Sequence, residues 1–221
     1  MRFRVGLLVI TVCWGLAGCK SDPIAPAPPV FQQDDEFRFV ENFTVGSTGN
    51  WQTEADDFGM TAVLNERMII EVSSANTVQY TTLREPTFSD FNLEVEATQL
   101  AGNPESSFGV LFRLQGPGQF YRFDITGNGR YTVERHNPDG TWTRFVEDWP
   151  LSPAIQQGFN VTNRLQVSAI GPDIVVYANG EVLFQFSDTA YSDGNIALAG
   201  GTFGQAGLSV AFDNLVVNLP R

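Results

Sequence analysis

The chain has 221 residues, a net charge of −12, 43% hydrophobic residues, two cysteines and one histidine. A chain this acidic is a poor partner for nucleic acid or for anionic lipid surfaces. A lone histidine excludes histidine-rich zinc sites and gives little basis for a His-based triad.

The N-terminus opens with Arg2 and Arg4, followed by the apolar run "VGLLVITVCWGL" from Val5 to Leu16. That run is too short to span a bilayer comfortably as a helix. It ends in "LAGC", Leu16 to Cys19, which resembles the lipobox of bacterial lipoproteins. The resemblance implies a signal peptide over residues 1–18, cleavage before Cys19, and a diacylglycerol on the Cys19 thiol. Several acyl chains anchor where a single one is marginal. Lys20 follows the cysteine, where an aspartate would resemble an inner-membrane retention signal. The expected address is therefore the cell envelope, on the outer membrane if the cell has one, with the lipid as the only membrane contact. Cleavage removes Arg2 and Arg4 and takes the net charge from −12 to −14. Cys13 leaves with the signal and Cys19 carries lipid, so the folded domain must stand on core burial without disulfides.

Residues 19–36 hold Pro23, Pro26, Pro28 and Pro29 and end in Asp34, Asp35 and Glu36. Such a segment prefers extended conformations and cannot join a sheet ladder, so it reads as a tether. Residues 37–221 are long enough for one all-β domain.

β signals dominate that domain. "TAVLN", "RMIIEV" and "VQYTTL" read as strands. In "FNLEVEATQL", Phe91, Leu93, Val95 and Ala97 alternate with Asn92, Glu94, Glu96 and Thr98, the pattern of a half-buried strand. Further strands are separated by Gly116-Pro117-Gly118, Gly127-Asn128-Gly129, Pro138-Asp139-Gly140, Asn179-Gly180 and Asp193-Gly194. Asn-Gly between apolar strands is a strong hairpin signal. Ser152 to Gly158 allows one short turn capped by Ser152. A dozen or more short strands at this spacing predict a two-sheet antiparallel β-sandwich or jelly roll.

One ribbon, residues 108–136, can be given a register. The 115–118 loop sets Phe112 against Tyr121, Val110 against Phe123 and Phe108 against Ile125. A three-residue loop with Gly129 left-handed then sets Tyr131 beside Ile125 and Val133 beside Phe123. The other side of the ribbon collects Arg113, Arg122, Asp124 and Glu134, with Glu134 opposite Arg122. A one-residue slip would bury Arg122 and expose Phe123, which disfavours it. "TWTRFVED" adds Trp142 and Arg144 to that side if Phe145 points to the core. These six residues are the candidate ligand-binding set. Planar aromatics stack on sugar rings, and arginine and carboxylate groups bond hydroxyls, so the set suits a carbohydrate. Its other reading is the solvated outer face of an exported sheet.

The strands "FGVLFR", "FYRFDITGNGRYTVER", "NRLQVSAIGPDIVVYANGEVLFQFSD", "DGNIALAG" and "VAFDNLVV" together resemble the concanavalin A-like lectin/glucanase superfamily. They are most similar to its laminin-G-like jelly rolls, including the 3-keto-disaccharide hydrolase group. The resemblance implies two sheets of six or seven strands with one concave face, on which many members bind sugars. It also implies a structural calcium on Asp213, with Glu41 as the second candidate ligand. Glucanases of this fold carry an E-x-D-x-x-E strand motif. Here "LEVEATQ" supplies Glu94 and Glu96 but ends in Gln99, so the motif is incomplete and no catalytic residue is assigned. Trp51, Trp149 and Tyr177 are expected to supply core or inter-sheet packing. The expected function is a membrane-tethered, lectin-like glycan binder. A glycoside-cleaving enzyme and a structural or protein-binding envelope module are the alternatives, and the sequence names no protein partner.

Overall fold

The computed structural model describes residues 38–44 and 50–220. The signal segment 1–18, the lipidation site Cys19 and the tether up to residue 36 lie outside the described residues. The described chain forms, in order, β1 (Arg38–Glu41), β2 (Glu54–Ala55), β3 (Gly59–Leu64), β4 (Arg67–Val72), β5 (Val78–Phe88), β6 (Phe91–Gly102), β7 (Ser107–Gly116), β8 (Gln119–Thr126), β9 (Tyr131–His136), β10 (Trp142–Arg144), β11 (Thr162–Ile170), β12 (Asp173–Ala178), β13 (Glu181–Ser187), β14 (Gly194–Gly201) and β15 (Leu208–Asn218). They make two antiparallel sheets. One runs β13-β12-β11-β6-β15-β4-β3-β2, with β1 also on β15; the other runs β10-β9-β8-β7-β14-β5. The fold is the β-sandwich that the strand pattern predicts, with nine and six strands where the resemblance implied six or seven in each.

Alternation explains the core. Phe91, Leu93, Val95 and Ala97 of β6 are fully buried. They sit between β11 and β15 at the centre of the larger sheet. From the smaller sheet, Phe108, Val110, Phe112, Tyr121, Phe123, Ile125 and Val133 face them, and all join one apolar cluster. Phe91 meets Phe112 edge to face at 6.2 Å, which ties the two sheets together. Burial pushes the Tyr121 hydroxyl up to about 12, helped by its hydrogen bond to Asp188. Ser152 to Gly158 makes a single turn, in which Ser152 Oγ accepts the Ala154 N–H at 3.2 Å.

The predicted register of the 108–136 ribbon holds at every pair. Phe112 stands against Tyr121, Val110 against Phe123, Phe108 against Ile125, Val133 against Phe123, and Glu134 against Arg122. Gly129 has φ +87°. Trp51 is core, as expected. Trp149 is not: it stands half-buried beside Phe203, with ring centroids 5.7 Å apart. The reason is local, since Asp148 and Trp149 both adopt positive φ and turn the ring out of the sandwich.

Candidate functional site

The smaller sheet has an outward side, away from the core. On β8 it carries Phe120, Arg122 and Asp124, and on β9 Thr132, Glu134 and His136. β10 adds Trp142 beside His136 and Arg144 beside Glu134. Phe145 packs against the core, as the placement of Trp142 and Arg144 requires. Five of the six predicted residues therefore meet on one surface.

Three of the five are buried, which alternation alone does not predict. Arg122 is 7% exposed, Asp124 0% and Glu134 7%, although all three point away from the core. Small residues on the neighbouring strands make this possible. Gly109 lies opposite Asp124 on β7, and Ala197, Ala199 and Gly201 occupy the outward positions of β14. Arg122 reaches across β7 toward Ser107 and Gly201. Its Nε donates to Asp124 Oδ2 at 2.8 Å, and its Nη2 donates to Ser107 Oγ at 2.8 Å and also pairs with Asp124. A Cβ on Gly201 would stand 3.5 Å from that Nη2. A Cβ on Gly109 would stand 2.8 Å from Asp124 Oδ1 and 2.1 Å from the Phe123 carbonyl oxygen, so only glycine fits there. This run of small outward residues is the sequence signal that could have announced a recess.

The charges are coupled. Glu134 Oε2 is 3.9 Å from Arg122 Nη1, and Oε1 is 3.4 Å from Arg144 Nε. Burial opposes the Arg122 charge, but Asp124 and Glu134 outweigh it, and the guanidinium is held above its usual range. Burial dominates at Glu134 and raises its carboxyl despite Arg122 and Arg144. Asp124 Oδ1 and Thr132 Oγ1, on residues paired across β8 and β9, are buried with no hydrogen-bond partner among the described residues. Trp142 closes one end of the row. It is 40% exposed, lies 5.8 Å from the Arg122 guanidinium, and meets His136 edge-on at 4.6 Å. His136 stacks on Phe120 at 5.3 Å and its Nδ1 is 2.7 Å from the Gly118 carbonyl oxygen.

A raised carboxyl has a measurable consequence. Folded Glu134 keeps a proton at pH values where the unfolded side chain has lost it. Its contribution to stability is therefore complete below the unfolded value, about 4.3, and is lost as pH rises through the folded value. Glu134→Gln is expected to remove that decline. Urea midpoints between pH 4 and 7 should fall more steeply for the wild type than for the variant, and parallel curves would refute the assignment.

Arg113 does not join the set. It has φ +47° within the irregular pairing between the end of β7 and the start of β8. Its guanidinium is directed to the Ser89, Tyr191 and Gly171 carbonyls at 2.9–3.2 Å. The even alternation that placed it beside Arg122 breaks at this bulge. Glu94 and Glu96 belong to β6 in the other sheet, bound to Gln166 and Asn214. Asp213 Oδ1 accepts the Asn214 N–H at 2.7 Å. Glu41 gives one oxygen to the Phe43 N–H and the other to the Trp51 indole N–H. Among the described residues no group of three or more His, Cys, Asp or Glu stands together. Asp213 Oδ1 and both Glu41 oxygens are thus engaged by nearby N–H groups.

The family described as 3-keto-alpha-glucoside-1,2-lyase-like domain matches residues 41–218, and the chain belongs to that family. No curated protein matches. Among solved structures, the fold is similar to the carbohydrate binding module CBM66 from Bacillus subtilis, with TM-score 0.60 and 16% identity over 76% of this chain and 95% of that one. It is similar to the kappa-carrageenase from Pseudoalteromonas carrageenovora, solved with an oligotetrasaccharide of kappa-carrageenan: TM-score 0.61, 13% identity, 88% and 99% coverage. A Bacillus subtilis protein of unknown function with a galectin-like fold gives TM-score 0.60 at 9% identity, with 83% and 96% coverage. These likenesses establish the shared jelly-roll fold.

Proposed function

From that membership and that surface, we propose that the chain is an envelope-tethered protein that binds carbohydrate on the outward side of its six-stranded sheet, without catalysis. One observation carries the reading: the charged row faces away from the core yet is buried, with a half-exposed Trp142 at its end. Charges on an ordinary solvated sheet face stand in water; these are fixed in place before any ligand arrives. Trp142 offers a flat apolar face to a sugar ring, and Arg144 and Glu134 offer partners for hydroxyls. The carbohydrate module and the carrageenase complex support the reading by analogy of fold. The "LAGC" box at Cys19 and the proline-rich segment behind it support the tether.

The test uses side chains whose loss leaves the core intact. Trp142→Ala is expected to weaken glycan binding about tenfold, a change of about 1.4 kcal/mol, with the melting temperature unchanged. Glycan-array hits confirmed by titration would measure it. Hits that bind the variant as tightly as the wild type would remove this site.

A second reading is favoured by the raised Glu134 carboxyl. Elimination from a 3-keto glucoside removes the proton on C2, beside the ketone. Its electron pair forms the C1–C2 double bond as the C1–O bond breaks, and the departing oxygen takes a proton. Glu134, its carboxyl raised above the usual range by burial, is suited to move one of those protons. Product release from a 3-keto-α-glucoside, abolished in Glu134→Gln with binding retained, would promote this reading over simple binding.

A further inference from the structure

The far end of the same surface carries a second feature. Where β8 turns into β9, Glu105, Thr126, Asn128, Arg130, Trp149 and Phe203 line an open pocket of about 340 Å³. Its aromatic wall is the edge-to-face pair Trp149–Phe203, at 84°. Phe203 is 44% exposed. Trp149 is held there at a cost: φ is +46° at Trp149 and +59° at Asp148. Bulky residues avoid that region, and such strain persists only where the surroundings impose it, often around a ligand. Arg130 supplies the fixing contact, donating Nη1–H to the Trp149 carbonyl oxygen at 2.8 Å.

The pocket is in line with the charged row. Phe120, Arg122, Asp124 and Thr126 share one side of β8 by alternation. Trp142 packs on Phe120 at 5.8 Å, and the pocket includes Thr126. The two aromatic stations thus stand at opposite ends of one row. Six residue steps of about 3.3 Å separate those ends by about 20 Å, more than a disaccharide spans. The walls are largely apolar, and one cation and one anion, Arg130 and Glu105, stand with Asn128 among the lining residues. That mixture favours a neutral sugar ring over a sulfated or carboxylated one.

We propose that this pocket is a second sugar subsite and that the ligand is a neutral oligosaccharide chain running along β8 from Trp142 to Trp149 and Phe203. The proposal rests on the carbohydrate reading of this surface and adds its length. The experiment is calorimetric titration of the full chain with two size ladders, maltose to maltohexaose and cellobiose to cellohexaose. Affinity for one ladder is expected to climb about tenfold from the disaccharide to the longest members. Phe203→Ala should abolish the climb and leave disaccharide affinity unchanged. Phe203 is a surface side chain, so the variant should fold; an unchanged melting temperature checks that. Affinity independent of length, or a climb that survives Phe203→Ala, overturns the subsite. If Trp142→Ala weakens binding while Phe203→Ala does nothing at any length, the subsite fails alone. If the wild type binds neither ladder, the carbohydrate reading fails and takes the subsite with it.

Discussion

Replacing Arg122 with Leu is expected to lower the unfolding free energy by about 3–5 kcal/mol. The guanidinium pairs with Asp124, which is fully buried, and stands 3.9 Å from Glu134, which is nearly so. Leucine fills much of the volume but leaves the buried Asp124 carboxylate without a cation and Glu134 with only the exposed Arg144. Buried unpaired charge, rather than lost packing, dominates the cost. Two further measurements separate these causes. Arg122→Leu/Asp124→Leu should recover most of the loss, because an apolar replacement of a whole buried pair is close to neutral. The single variant should also gain stability as pH falls. Burial already raises the folded Glu134 carboxyl, and loss of the Arg122 charge that opposes this raises it further, so the folded state is favoured by acid. Denaturant unfolding at pH 7 and pH 5 measures both. A loss under 1 kcal/mol, or a double variant no better than the single, would mean that the network is solvated in solution.

That network shows which layer of information the sequence carries. The pairing of Arg122 with Glu134 was legible, because hairpin loops fix register and a slip would turn Phe123 outward. The direction of each side chain followed from alternation. Exposure did not, because it depends on residues from strands far apart in sequence. Arg122 reaches across β7 to Ser107 and to Gly201 of β14, and β14 begins sixty-eight residues after β8 ends. The Trp149 pocket was hidden for a different reason. It is made by turns and loops with no period to read, and its wall depends on two positive φ angles in non-glycine residues. The closing paired strand was also shorter than its composition suggested: "TWTRFVED" supplies only Trp142–Arg144 to the ladder.

Arg113 gives the sharpest contrast between pattern and role. Arg113→Met is expected to destabilise the fold by about 3 kcal/mol while leaving glycan affinity intact. Its side chain is 1% exposed and donates to the carbonyls of Ser89, Tyr191 and Gly171. Those carbonyls belong to the β5–β6 connection, the β13–β14 loop and the β11–β12 turn. One guanidinium thus gathers three loops from both sheets at one end of the sandwich. Burial pushes the group below its usual range, opposed by Tyr121, Asp90 and Asp193, so the ion's cost is met by fixed acceptors. Methionine fills the space without donating, and a buried acceptor left unpaired costs about 1–3 kcal/mol. Arg113→Lys should recover only part of the loss, since an ammonium lacks the planar fork that reaches three carbonyls together. The paired readout is what decides. Lower stability with unchanged affinity places Arg113 in the frame. Reduced glycan affinity with unchanged stability would return it to the binding surface where even alternation first put it.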